Sequence, residues 1–379
     1  MHRSIVRPLV RSLAVVLALL LGLILSAQPA SAATGWTSPA LIMSGHDLQQ
    51  VAMGVDASGA IHVVGLDGRG IFYRTNRTGA WSTVRLADTP QHFAAAFDAA
   101  GNTWVAWGGG WGGHGLSMLT DAGGGPNDGW PTTPQTLAAG HVHAEAMAVH
   151  DGHVHIVFTG SADHLRYLSD ASGSWVDTVV FGGDVGAASI AVGSDDRARI
   201  AFVGYDIHGE LAVARETGSA AHPTFTFSPI PGTLDQPGHE DSDPLIALDA
   251  HERIHVAWTQ HTGCIEGCGP LPSDGIHLSS LVNGQWTPLD KSHVSHDYTL
   301  ASLAIDSLGR AVILTAGGGL PGGVRFIRET ARGFARTRLY GSPTYAGPAA
   351  LAQTPRGKAD VAFAGKANGH AGLLLIRQK

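Results

Sequence analysis

A histidine directly precedes a carboxylate at His46-Asp47, His239-Glu240 and His296-Asp297. An imidazole titrates near neutral pH, so a neighbouring acid can hold it ready to take or give a proton. The same residue types are ordinary ligands for a divalent metal. They also hydrogen-bond sugar hydroxyls, while flat aromatic faces pack on sugar C–H surfaces. Tyr298 closely follows the third pair, and two tryptophans, Trp107 and Trp111, flank a glycine run that ends at His114. The sequence leaves all three chemistries open: glycan recognition, acid–base work and a divalent metal.

These residues recur at one place in a repeated unit. A turn phrase flanked by apolar runs appears seven times, beginning at Asp56, Asp98, His150, Ser194, Asp249, Asp306 and Thr354. Each is a hairpin with runs of about five residues, the length expected of strands. A third run and a second turn follow, often with a tryptophan: Trp81, Trp175 and Trp286. Four short strands per unit at a period near 50 residues predict a seven-bladed β-propeller, all-β, with almost no helix. The chain enters through Trp36 to Ile42, which reads as a fourth strand, and the last unit stops after its third. The N-terminal strand is therefore expected to close the last blade and remove the free edges.

Aligned on the hairpin turns, the positions ten residues upstream read His46-Asp47, Asp88-Thr89, Gly140-His141, Gly183-Asp184, His239-Glu240 and His296-Asp297. They fall on the links between blades, which circle the axis on one face. The loops joining second to third strands share that face and add Trp107, Trp111, His114 and His261. The expected ligand-binding set is His46, Asp47, Trp107, Trp111, His114, Asp184, His239, Glu240, His261, His296 and Asp297, with His239, His296 and Tyr298 catalytic if the protein is an enzyme. Binding there is expected to change steeply between about pH 5 and 7. His62, His155 and His255 share a second-strand position and read as scaffold; Trp36, Trp81, Trp175 and Trp286 read as packing between blades.

Composition narrows the partners. Residues 1–32 combine three early arginines, an apolar run from Leu13 to Ala27 and the small-residue pattern Ala30-Ser31-Ala32. That is a secretory signal, leaving residues 33–379 as one propeller domain outside the cell. Removing the three arginines takes the formal charge from -7 to -10. So acidic a chain is no polyanion binder driven by counterion release, so nucleic acid is excluded. No second apolar run is long enough to span a membrane. Cys264 and Cys268 are expected to pair as a local loop staple under oxidising conditions. A glycan or polysaccharide is the expected partner, for a monomer.

The units resemble the sialidase-like propellers, including the bacterial neuraminidase repeat group. The resemblance is carried by Ser169-Asp170-Ala171-Ser172-Gly173-Ser174-Trp175, one residue short of an Asp-box, and by Thr75 to Trp81, which lacks the Asp. It implies a secreted glycan-handling propeller. The arginine triad of sialidases has no counterpart here, and Arg325-Phe326-Ile327-Arg328 lies late in the chain. His239 to Trp258 and His296 to Leu314 look similar to propeller polysaccharide lyases such as ulvan lyases, where central His and Tyr move protons. That implies a glycan-degrading enzyme as the second reading. A protein-interaction scaffold is the third, since fold does not settle function.

Overall fold

The computed structural model describes residues 33–379 except 46, 89, 91, 110–114, 123–128, 161–162, 206–209, 234–238, 263–274, 288–289, 292–298, 318–322, 342–346 and 368. At 210, 239–241, 261–262 and 290–291 it describes the backbone alone. The expected signal segment lies outside the described residues.

Strand β1 (Ala40–Ser44) opens the chain. The first full sheet is β2 (Leu48–Val55), β3 (Ile61–Asp67), β4 (Gly70–Thr75) and β5 (Ser82–Ala87). The second is β6 (Phe93–Phe97), β7 (Thr103–Gly108), β8 (Leu116–Thr120) and β9 (Gln135–Ala138). A seven-stranded sheet follows: β10 (His143–His150), β11 (His153–Thr159), β12 (His164–Ser169), β13 (Val176–Val192), β14 (Ala198–Gly204), β15 (Glu210–Ser219) and β16 (His222–Pro229). Next come β17 (His239–Leu248), β18 (Ile254–Thr262) and β19 (Gly275–Val282), with the short β20 (Gln285–Trp286) and β21 (Asp290–Lys291) both paired to β19. Then come β22 (Thr299–Ile305), β23 (Ala311–Gly317), β24 (Gly323–Thr330) and β25 (Gly333–Gly341). The last sheet is β26 (Ala349–Gln353), β27 (Ala359–Ala367) and β28 (His370–Arg377), with β1 antiparallel on β28. Among the described residues there is no α-helix.

Burial follows strand position. All seven residues of β3 are buried, whereas β5 is mostly exposed. A strand buried on both faces needs a neighbour on each side, and the apolar clusters supply it. Phe72 and Ile61 pack with Ala362 and Leu373; Val64 and Tyr73 with Phe93 and Val105; Trp104 with Ile156. Tyr167 packs with Phe202, Val203 with Trp258, and Ile276 with Ile313. Phe326 packs with Phe363 and Trp36, which returns the series to its start. The sheets thus form a closed ring, and the architecture is a β-propeller.

The repeated turn phrase has a simple cause. Oδ1 of Asp56 accepts the backbone N–H groups of Ser58 and Ala60, each at 2.9 Å. Asp249 and Asp306 bind their own turns in the same way. Gly59, Gly101, Gly309 and Gly357 then take positive φ at the turn. Trp81, Trp175 and Trp286 lie half-buried against clusters that join two sheets, and Trp286 donates its Nε1–H to Ser228 Oγ at 3.1 Å.

A second recurring glycine opens the third strand. Gly70 and Gly323 have φ of 129° and 145°, and a Cβ there would lie 2.1 Å from Ala87 O and 2.0 Å from Tyr340 O. Both features favour glycine alone. Gly323→Ala is expected to cost about 2–4 kcal/mol in denaturant unfolding. A variant as stable as wild type would contradict this reading of the glycine.

Candidate functional site

The inner strands β2, β10, β17 and β22 each carry a register shift against their neighbour, at the end where the strand begins. The shifts fall between Leu48 and Gln50, Ala144 and Glu145's successor Ala146, Ser242 and Leu245, and Leu300 and Ser302. In β13 the same shift lies between Val185 and Ala188. A bulge leaves its extra residue unpaired and re-aims it. The residues left over are Gln49, Glu145, Gly186-Ala187, Asp243-Pro244 and Ala301.

All of these except Gly186 line one cavity of about 690 Å³. Its wall is completed by the inner-strand residues Gln50, Thr299 and Ala349, by Ala316 and Gly317 at the end of β23, and by Pro348 just before β26, so inner strands from both halves of the ring converge on it. That places it on the propeller axis, open at the end where the inner strands begin. Small residues such as Ala187, Ala188, Ala301, Ala349 and Gly347 leave the space. The volume falls within the usual range for ligand sites.

Glu145 is the chemically distinctive wall residue. It accepts a hydrogen bond from Thr159 Oγ1 at 3.1 Å, and burial pushes its carboxyl up to about 7. A carboxyl poised near neutral pH in a cavity is a functional-site signature. Asp243 is exposed to the cavity, its backbone at φ 52°, directly before the buried Pro244. Aspartate tolerates that left-handed conformation better than most residues. Gln50 serves a different end: its side-chain amide donates to Phe93 O at 2.7 Å and accepts from Phe93 N–H at 3.0 Å, tying β2 to β6. Thr259 Oγ1 accepts from Leu300 N–H, and Ser302 Oγ from Leu351 N–H, so inner strands are stitched together around the axis.

Of the expected site residues, Asp47 lies exposed just before β2 and Asp184 exposed within β13, where its backbone pairs with His164. Neither lines the cavity, but each stands a few positions before a residue that does. Trp107 is half-buried on β7 against an inter-sheet cluster. The register sets Glu240 opposite His261 and His239 opposite Thr262. His46, Trp111, His114, His296, Asp297 and Tyr298 lie outside the described residues, as do Cys264 and Cys268. His92 and His143, at the starts of adjoining inner strands, bring their rings to 6.2 Å. Among the described residues no three His, Cys, Asp or Glu side chains gather to hold a metal ion.

The histidines read as scaffold are buried and hydrogen-bonded. His62 Nδ1 lies 2.6 Å from Tyr73 Oη, and its Nε2 lies 3.3 Å from Asp56. His155 repeats this with Tyr167 at 2.6 Å and Asp196 at 3.1 Å, while His255 meets Ser280 at 2.7 Å. Desolvation holds all three below the usual histidine range, so they are neutral packing elements.

No family model and no curated protein matches the chain. Solved structures do. An ulvan lyase of polysaccharide lyase family PL25, bound to -[GlcA(1-4)Rha3S]-, aligns over 89% of this chain and 96% of its own, at 12% identity and TM-score 0.63. The β-propeller domain of Cps50 (Swd1) from Myceliophteria thermophila aligns over 90% and 98%, at 12% identity and 0.53. A protein of unknown function from Dyadobacter fermentans aligns over 91% and 100%, at 11% identity and 0.51. The shared property is the propeller. Identities this low carry the fold and nothing finer.

Proposed function

We propose that this protein is a secreted, seven-bladed β-propeller of sialidase-like ancestry that binds carbohydrate at the axial cavity and its mouth. The blade count treats the seven-stranded sheet as two blades sharing β13, whose first part pairs with β12 and whose second part pairs with β14. Export rests on the signal-like residues 1–32, and the Cys264–Cys268 staple belongs to the same proposal. The observation that carries the binding function is the ring of bulges. They turn amide, carboxyl and small side chains from several inner strands into one cavity, giving polar groups around an open centre. Sugar hydroxyls need such convergent donors and acceptors. The histidines, acids and tryptophans of the links and loops extend the site outward.

Protein purified from the culture medium and applied to a glycan array, followed by calorimetry, is expected to show a saccharide ligand. An empty array would contradict the proposal. Glu145 favours a second reading, a glycan-degrading enzyme, because a carboxyl near neutral pH can accept and return a proton. In that case the protein releases unsaturated or reducing ends from a polysaccharide. Glu145→Gln would abolish the release in a protein that stays folded.

A further inference from the structure

The cavity wall and the opposite end of the propeller differ in how their carboxyl groups are balanced. The cavity opens at the end where inner strands begin, because Gln49, Glu145 and Thr299 lie there. By register, that end also holds the turns between second and third strands: Leu48 pairs with Asp67, just before Gly70. At the opposite end lie the turns carrying Arg77, Arg197, Arg253, Arg310, Arg356 and Lys358. Several are tied down there, as Arg310 to Asp306 at 2.7 Å and Arg253 to Asp249 at 2.5 Å.

The described cavity wall lacks that balance. The charged residues in the described wall are Glu145 and Asp243, both acidic. Arg69 and Lys366 stand at this end in the turns, and Arg69 bonds Asp67 at 3.3 Å. An anionic sugar would enter this cavity against two carboxyl groups, with no guanidinium or ammonium among the described wall residues to receive it. A protonated amine would donate charge-assisted hydrogen bonds to the same two groups.

We propose, resting on the carbohydrate reading, that the axial cavity selects saccharides bearing free amines, deacetylated hexosamine oligomers, over neutral and uronate-bearing ones. Asp243 and Glu145 receive the ammonium, and the neighbouring amides and hydroxyls receive the ring hydroxyls.

Calorimetry at low ionic strength with three probes tests this: a glucosamine hexamer, its fully N-acetylated counterpart and a galacturonate hexamer. The glucosamine hexamer is expected to bind at least about tenfold more tightly than the N-acetylated one, with the galacturonate weakest. Asp243→Asn and Glu145→Gln should each shrink that preference several-fold while the proteins stay folded by circular dichroism. Equal or tighter binding of the N-acetylated or galacturonate probe by wild type overturns the amine selectivity and leaves carbohydrate binding standing. A preference for the amine that survives unchanged in both variants also overturns it, since the amine would then bind elsewhere. Failure of all three probes together with an empty glycan array removes the carbohydrate reading itself.

Discussion

A chain that begins at Gly45 is expected to lose its cooperative unfolding transition at ordinary temperatures. The removed segment contains Trp36, buried to 3% exposure in the cluster between the last two sheets, and Ile42, buried between the last sheet and the first. Trp36 also sets its ring edge-on to Phe326 at a centroid distance of 4.9 Å. Burying Trp36 and Ile42, with the partly buried Leu41, is worth roughly 5–9 kcal/mol by apolar area. That is comparable with the whole stability of a typical domain, about 5–15 kcal/mol. The truncation also bares β28 as an unpaired edge, which favours association. Thermal melts followed by circular dichroism, with size-exclusion chromatography, check both effects. Trp36→Ala alone should cost about 3–5 kcal/mol. A truncated monomer melting like the full chain would show that β1 does not close the ring.

Glu145→Gln is expected to stabilise the protein at alkaline pH. The folded protein keeps the Glu145 proton up to about 7, whereas an unfolded glutamate releases it near its ordinary value of 4.5. Folding therefore takes up a proton between those values, and stability falls as pH rises across that window. The difference corresponds to roughly 3 kcal/mol when fully expressed. Glutamine retains an oxygen for Thr159 Oγ1 and carries no charge to desolvate. The variant should match wild type at pH 4 and exceed it by up to about 3 kcal/mol at pH 8. Buried His62, His155 and His255 act in the opposite direction. Their folded pKa values are lowered, so stability drops as pH falls below the ordinary histidine range. Both proteins share that term, so the difference between them isolates Glu145. Denaturant unfolding at several pH values measures it, and a pH-independent difference would contradict the assignment.

Much of the scaffold was legible because its causes are local. The aspartate that begins a turn phrase binds that turn's own amides, so Asp56, Asp249 and Asp306 recur visibly. Trp36 announced the closing strand through its likeness to the tryptophans that precede fourth strands. The cavity was less legible because bulges carry no residue signature. Glu145 sits in His143-Ala144-Glu145-Ala146, which reads as plain alternation; the register shift there determines what it faces. A signal existed all the same. Gln49, Glu145, Ala187, Asp243 and Thr299 follow the aligned link positions by two to four residues in sequence. The continuity of β13 from β12 to β14 was likewise hidden, since no turn residue marks where one pairing ends and the next begins.

The central claim is that the axial cavity is the binding site. Ala187 and Ala301 are bulge residues of β13 and β22 in its wall, so a tryptophan at either would fill it. Affinity for the strongest array ligand is then measured by calorimetry on wild type and both variants, with melting temperatures confirming the fold. The cavity account predicts that affinity falls by at least about a hundredfold in folded variants. Unchanged affinity in two folded variants would contradict it.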